Sequence, residues 1–188
     1  MIPSEEEAMV IHAKYKTGVY IVRHCQAVAM AAKIMADEAE RRGQAVDERV
    51  VIAGALLHDI GRSRSQTVMH GVQGAEILEK EGVEKKVVEI VRRHVGAGIS
   101  PEEAKKLGLP DFDYIPRTLE ERIVCFADKM VDADKVRPFG EEVHRFTTKS
   151  HDVGRLLSLK RGLAEDLGAD PEKLIFDRIK ESESKAAK

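Results

Sequence analysis

The stretch AGALLHDIG, residues 53–61, decides the fold of this chain. Its first five residues end an apolar segment that follows Asp47, and His58 and Asp59 come directly after. Because this segment is apolar on nearly all sides, we predict that it forms the central helix of a bundle. Burying an imidazole and a carboxylate at its end is costly unless a partner such as a divalent metal satisfies them. From this pair alone, an exposed helix end with a histidine favoured by the helix dipole is an equal alternative.

Two further polar residues lie within apolar helical segments. His24 lies near the apolar face of a helix expected from about residue 19 to residue 43, and Asp128 lies in VCFADKMV, residues 124–131. With the His58-Asp59 pair they offer two imidazoles and two carboxylates from three helices that must pack together. These ligand types suit zinc, iron, manganese, nickel or cobalt. The sequence therefore predicts a divalent metal site in the core of a helical bundle.

Helical periodicity and cap residues predict the remaining elements. Thr118 and Glu121 form a capping box, and Asp170 begins a final helix. Other helices are expected at about residues 70–80, 83–94, 100–107 and 141–167, with a loop at 61–66 and a connector at 109–117. No stretch alternates as a half-buried strand does. We predict an all-α, compact multi-helix bundle in a single domain, residues 1–188, with a motif core at about 18–135 and C-terminal helices, 141–180, packed on it.

Composition excludes several classes of protein. The 188 residues carry a net charge of −2, and no apolar run is long enough to span a bilayer. The start is acidic, at Glu5 to Glu7, which is unlike a signal or transit peptide, so we expect a cytoplasmic protein. The sequence has no long basic block, so we do not predict an extended nucleic-acid surface. Cys25 and Cys125 are expected as buried free thiols. The absence of Asn and Trp, with abundant Glu, Lys and Arg, favours a thermophilic source.

The order of His24, His58-Asp59 and Asp128 resembles that of the HD-domain superfamily of metal-dependent phosphohydrolases. The tetrapeptide that begins at His58 is the one that gives the HDIG subgroup its name. The resemblance covers about residues 18–135. It implies an HD-domain fold and hydrolysis of a phosphate ester by metal-activated water. It also implies a small phosphorylated substrate, a nucleotide or related molecule.

Two more histidines extend the resemblance to a second metal. It implies that the first metal is bound by His24, His58, Asp59 and Asp128, and that Asp59 bridges to a second metal bound by His70 and His94. From the residues alone, the alternative for His70 is an ordinary helix start, and the alternative for His94 is a partner of the helix dipole. The chain lacks the GYP tripeptide and the adjacent histidine pair of HD-GYP proteins. A cyclic-dinucleotide phosphodiesterase of that type is therefore not expected. No acid follows the His-Asp pair closely, so the acid/base arrangement of single-metal HD nucleotidases does not transfer either.

Catalytic roles are assigned to Asp59, Arg62 and Lys129. Arg62 follows the HDIG glycine, where related sequences often carry a lysine near the substrate phosphate, and a guanidinium binds phosphate bidentately. Lys129 is a second phosphate candidate beside Asp128. The same ligands also resemble those of mixed-valent di-iron oxygenases of the superfamily. A non-catalytic, metal-containing ligand-binding module is a further alternative.

The remaining histidines are expected on the surface, and the oligomeric state is open. These are His12, His144 and the histidine of the second pair, His151-Asp152, which follows no apolar run. Helices after Arg137 either cover the site or form the face of a homodimer.

Overall fold

The computed structural model describes residues 1–149 and 152–186. Within those residues the chain forms ten α-helices, one 3₁₀ helix and one hairpin of two-residue strands. The fold class is all-α, as the sequence predicts. The elements are α1 Glu5–Lys14, α2 Val19–Arg41, α3 Glu48–Leu57, the 3₁₀ helix Ile60–Ser63, α4 His70–Lys80, α5 Lys85–Arg93, α6 Pro101–Lys106, α7 Leu119–Met130, β1 Val131–Asp132, β2 Lys135–Val136, α8 Phe139–Thr148, α9 Val153–Leu167 and α10 Pro171–Ala186.

Local cap residues determine where the site-bearing helices begin. The side chain of Asp47 accepts the backbone N–H of Arg49 and begins α3. Thr118 and Glu121 form the predicted capping box of α7. Each cap satisfies backbone N–H groups that have no partner inside the helix. These two helices therefore begin where the sequence alone places them.

Other boundaries differ from the predictions. The expected helix at 141–167 is two helices, α8 and α9, because the side chain of Asp152 accepts the N–H of Arg155 and starts α9 afresh. The expected loop at 61–66 contains the 3₁₀ helix. Helix α1 and the antiparallel hairpin, with Val131 opposite Val136, were not among the expected elements.

Helix α3 lies at the centre of the bundle, as predicted. It contacts α1, α2, α5 and α7, and seven of its ten residues are buried. Gly54 permits the close approach of α5, since a Cβ at this position would lie 2.7 Å from the Cδ1 atom of Ile90. The tight packing around α3 holds its C-terminal end, and with it the His58-Asp59 pair, in the interior.

The C-terminal helices pack on this bundle. Helix α9 contacts α2 and α7, while α10 contacts α2 and α9. Leu156, Leu163 and Ile175 are buried in the same hydrophobic cluster as the residues of α3. A smaller hydrophobic cluster is formed by buried residues of α4, α6 and the segments on either side of α6, and they are Val72, Ile99, Ala104, Leu109 and Tyr114. No helix in the described parts of the chain combines the length and apolar character that crossing a membrane requires.

Candidate metal centre

Helices α2, α3 and α7 bring four predicted ligands together. The Nε2 atom of His24 lies 2.9 Å from Oδ1 of Asp128, and Nε2 of His58 lies 3.5 Å from the same oxygen. Oδ2 of Asp59 is 3.8 Å from Nε2 of His58. We name His24, His58 and Asp128 the Asp128 cluster. Residues up to 104 positions apart along the chain thus meet at one point.

The two remaining predicted ligands lie on the other side of Asp59. Oδ1 of Asp59 is 3.2 Å from Nε2 of His70 and 3.4 Å from Nε2 of His94. The two imidazole Nε2 atoms are 3.0 Å apart. His70 begins α4 and His94 ends α5, and both are buried. We name His70 and His94 the His94 cluster; Asp59 faces both clusters, one with each carboxylate oxygen.

All four histidines present the same ring nitrogen to the centre. In each, Nδ1 donates to a backbone carbonyl oxygen, so Nδ1 carries a proton and Nε2 is the nitrogen that faces the centre. The pairs are His24 with Ala133 (2.9 Å), His58 with Ala55 (2.8 Å), His70 with Thr67 (2.6 Å) and His94 with Val91 (2.7 Å). The arrangement is the one that a histidine ligand needs.

A divalent cation fits the chemistry of these donors. Nε2 of His58 and Oδ1 of Asp59 are buried and make no hydrogen bond within the described residues. In the His94 cluster, two Nε2 lone pairs face each other, which requires a proton or a cation between them. Three overlapping groups of three ligand atoms each lie within 4.8 Å of one another, and they are His24-His58-Asp59, His58-His94-Asp128 and Asp59-His70-His94.

The charge state of the His94 side follows from burial and from its neighbours. Burial alone would raise the pKa of Asp59, yet the charge on His58 holds it well below the usual 3.8. Contacts with His70 and His94 act in the same direction. Burial lowers the pKa of His94 to about 4. At neutral pH this side therefore combines a carboxylate with a neutral His94 ring, which is the ligating form.

The Asp128 side holds more charge. Burial alone would raise the pKa of Asp128, but the Lys129 ammonium keeps it well below 3.8. Burial alone would lower the pKa of His58, but Cys25 and Asp59 raise it well above 6.5. The positive charges here balance the two buried carboxylates. A metal ion would have to replace the proton on His58 in that role.

The two predicted phosphate-binding residues differ in exposure and in how they pair with the site's carboxylates. Nε of Arg62 donates to Oδ2 of Asp59 at 2.6 Å, and no partner of its two Nη groups is found among the described residues. Nζ of Lys129 donates to Oδ2 of Asp128 at 2.6 Å, and its side chain is only 11% exposed, against 31% for Arg62. Arg62 therefore has donors left for a substrate, whereas Lys129 mainly holds Asp128.

The glycine of the HDIG tetrapeptide has a steric role. A Cβ at Gly61 would collide with the backbone carbonyl of His70, and it would lie 2.6 Å from the backbone nitrogen of Gly74. The 3₁₀ helix after Asp59 therefore lies directly against the first turn of α4. This contact brings the carboxylate of Asp59 and the ring of His70 together.

The prediction for one of the other histidines was wrong. His12 was expected on the surface, but it is 2% exposed and its Nε2 lies 2.7 Å from the carbonyl oxygen of Leu56. The sequence signal was available, since Ala8, Ile11 and His12 are spaced as one helical face. His144 is exposed, as expected, and His151 lies outside the described residues.

Both cysteines are buried and free, as predicted. Burial raises the pKa of Cys125 to about 12. Burial also acts to raise the pKa of Cys25, but the charge on His58 and a contact with His12 lower it to about 7. Cys25 therefore lies next to the centre, which no pattern in the sequence indicated.

This chain is similar to a known domain family and to several known proteins. The family model for the HD domain matches residues 21–131. The tRNA (cytidine(56)-2'-O)-methyltransferase of Picrophilus torridus is 39% identical over 178 residues, which is 94% of this chain and 51% of that protein. An uncharacterized protein of Methanocaldococcus jannaschii is 46% identical over 126 residues, 67% of this chain and 75% of that protein. This chain thus spans about half the length of the methyltransferase that it matches.

A solved structure shares the fold. The HD domain of the phosphodiesterase PgpH from L. monocytogenes superposes with a TM-score of 0.57 and 18% sequence identity. The match covers 89% of this chain and 96% of that domain. It therefore includes part of the C-terminal helices as well as the matched family region.

Proposed function

This chain belongs to the HD-domain family, and on that basis we propose that it is a metal-dependent phosphohydrolase acting on a phosphate ester of a nucleotide or related small molecule. The observation that carries the proposal is the convergence of four imidazole Nε2 atoms on one buried centre, with Asp59 between the two clusters. A guanidinium with free donors, Arg62, lies beside that carboxylate.

Different residues of the site would bind the metal ions, bind the phosphate and hold Asp128 in place. The histidines, Asp59 and Asp128 would hold one or two divalent ions, the first in the Asp128 cluster and the second in the His94 cluster. A bound divalent ion supplies water that is deprotonated near neutral pH and offsets charge on phosphate oxygens. The Nη groups of Arg62 would bind those oxygens and orient the ester. Lys129 would keep Asp128 charged and in place.

A cavity lined in part by residues that neighbour His70 and His94 along the chain offers a place for the organic group that carries the phosphate. Its volume is about 300 Å³, at the lower end of the range for small-molecule sites. Val68 lies two positions before His70, and Val95 directly follows His94. Further apolar lining comes from the segment between α5 and α6, the residue that follows α6, and α8, and these residues are Ala97, Ile99, Leu107 and Phe146.

The charged residues of the cavity lining carry two positive and two negative charges, on Lys106, Arg155, Glu103 and Asp152. Arg155 pairs with Glu103 at 2.9 Å and with Asp152 at 3.2 Å, and it donates to the carbonyl oxygen of Gly98 at 2.7 Å. A neutral apolar wall suits an uncharged ring such as a nucleobase better than a second charged group. This is the support for a nucleotide as the substrate.

The test combines metal analysis with a substrate panel. Purified protein would be loaded with manganese, iron, zinc, nickel or cobalt and assayed on phosphomonoesters and phosphodiesters, with Asp59→Ala as the control. Turnover by the wild type alone supports the proposal. A wild type no faster than Asp59→Ala on the whole panel contradicts it, and oxygen consumption by an iron-loaded protein would favour the oxygenase alternative.

The cavity is tested by a pair of exposed leucines. Leu107 lines the cavity and is 51% exposed, whereas Leu157 lies elsewhere and is 46% exposed. We expect Leu107→Trp to raise KM for a nucleotide without changing KM for a small alkyl phosphate, and Leu157→Trp to change neither. Equal effects of the two substitutions would contradict a base-binding role for the cavity.

The methyltransferase relative favours a second candidate function. In that protein, a segment like this chain makes up about half the length. A non-catalytic module that accompanies tRNA modification is therefore the alternative. Binding of tRNA by the metal-loaded protein, without turnover of any phosphoester, would favour it.

A further inference from the structure

We propose that His12, on the N-terminal helix α1, is a positioning residue for the His58-Asp59 pair; this inference rests on the proposed metal site. His12 lies outside the region matched by the family model, residues 21–131. Its ring is buried, and Nε2 lies 2.7 Å from the carbonyl oxygen of Leu56, two residues before His58. No role follows for it from the predicted ligand set.

The physical reason lies in how α3 ends. The last carbonyl groups of a helix have no intrahelical donor and must find partners elsewhere. Helix α3 ends at Leu57, and two successive carbonyls near its end are bonded by histidine rings. The carbonyl of Ala55 accepts from Nδ1 of His58 itself, and that of Leu56 accepts from His12. The direction in which the chain leaves α3, and so the placement of His58 and Asp59, depends on both bonds.

Helix α1 is held firmly enough to act as such an anchor. Ala8 and Ile11 are buried in the main hydrophobic cluster, and α1 contacts α3 directly. His12 therefore links a firmly packed helix to the end of α3 through the Leu56 carbonyl.

The experiment measures metal affinity apart from activity. Mn²⁺ and Zn²⁺ affinities of folded protein would be measured by chelator competition, and Tm would be measured in EDTA. The variants are His12→Phe, which fills the space without a donor, and His12→Gln, which restores an N–H. His144→Leu serves as the control at an exposed histidine. We expect His12→Phe to weaken metal binding by about 10–100-fold, as loss of a partner behind a metal ligand does. His12→Gln should recover part of the loss, and the control should match the wild type.

Each outcome is informative. A lower Tm for His12→Phe with unchanged metal affinity would show that His12 is only structural and would overturn the inference. Should His12→Phe not fold, His12→Leu carries the same expectation. Weakened metal binding in a protein that hydrolyses no phosphoester would refute the proposed function and leave the inference intact. A wild type that binds neither metal would refute both.

Discussion

The Asp128 cluster and the His94 cluster share Asp59 and present the same imidazole nitrogen, yet they differ in charge. In the Asp128 cluster, Lys129 lies against the carboxylate and the pKa of His58 is raised well above 6.5. In the His94 cluster, burial lowers the pKa of His94 to about 4. One side thus holds a proton that a metal must displace, and the other holds a neutral ring ready to ligate. Similar ligands therefore need not bind metal with the same pH dependence.

The largest expected effect comes from the residue that the clusters share. Asp59→Ala should remove metal from both and lower kcat/KM on the order of 10³-fold, about 4 kcal/mol of transition-state stabilisation. Metal content and turnover would be measured together. Asp37→Ala, at an exposed acid paired with Lys33, is the control and should behave as wild type. Retention of both metals in Asp59→Ala would show that Asp59 is not the bridge.

Single-cluster substitutions should separate the two sides. His24→Ala removes a ligand of the Asp128 cluster alone, and His70→Ala removes one of the His94 cluster alone. Each should lower the metal content from two ions per chain to one, measured by elemental analysis after dialysis. A wild type with one ion per chain, unchanged by His70→Ala, would mean that the second metal does not exist.

A smaller effect is expected for the guanidinium beside Asp59. Arg62→Ala should raise KM about 10-fold, or about 1.4 kcal/mol, because the phosphate loses a bidentate partner. Arg62→Lys should recover part of this, since it keeps the charge but not the planar fork. The exposed Arg64, two positions on, offers the control Arg64→Ala. A loss of metal in Arg62→Ala with unchanged KM would instead assign Arg62 to holding Asp59.

The smallest effect concerns the stability of metal-free protein. Since the pKa of His94 is about 4 when folded and about 6.5 when unfolded, the unfolded chain binds the proton first as pH falls. Protonation of the unfolded chain therefore lowers the free energy of unfolding as the pH falls from about 6.5 to about 4. Above pH 6.5 this contribution no longer changes with pH. His58 acts oppositely, because its raised pKa stabilises the fold at low pH and that stability is lost as pH rises.

The pH dependence is measured as Tm in EDTA. His94→Gln should flatten the fall in Tm between pH 6.5 and 4 relative to the wild type. His58→Gln lacks the stabilisation that His58 provides at low pH, so its Tm should rise relative to that of the wild type as the pH increases. The fall in Tm that His94 causes below pH 6.5 should also be smaller in this variant, since the charge on His58 is one cause of the lowered His94 pKa. Parallel curves for all three proteins would contradict the charge difference between the clusters.

The sequence by itself determined the structural features that depend on residues close together along the chain. The apolar period, the caps at Asp47 and Thr118, and the position of HDIG after the central helix are local, so the all-α fold could be predicted. Four candidate ligands could be selected as polar residues in or at the end of apolar segments, and they are His24, His58, Asp59 and Asp128. His70 and His94 were expected only from the resemblance to HD domains.

Only the tertiary structure decided how those residues meet. The packing of distant helices decides which histidines face which oxygen of Asp59. It also decides that Arg62 is more exposed than Lys129, whose ammonium lies against Asp128. The role of His12 depends on a carbonyl 44 positions away. Helices α8 and α9 are separate because the side chain of Asp152 caps the start of α9, although the apolar period alone predicts one continuous helix. Sequence patterns encode local backbone preference and burial, whereas pairing across the core is decided by packing at near-crystalline density.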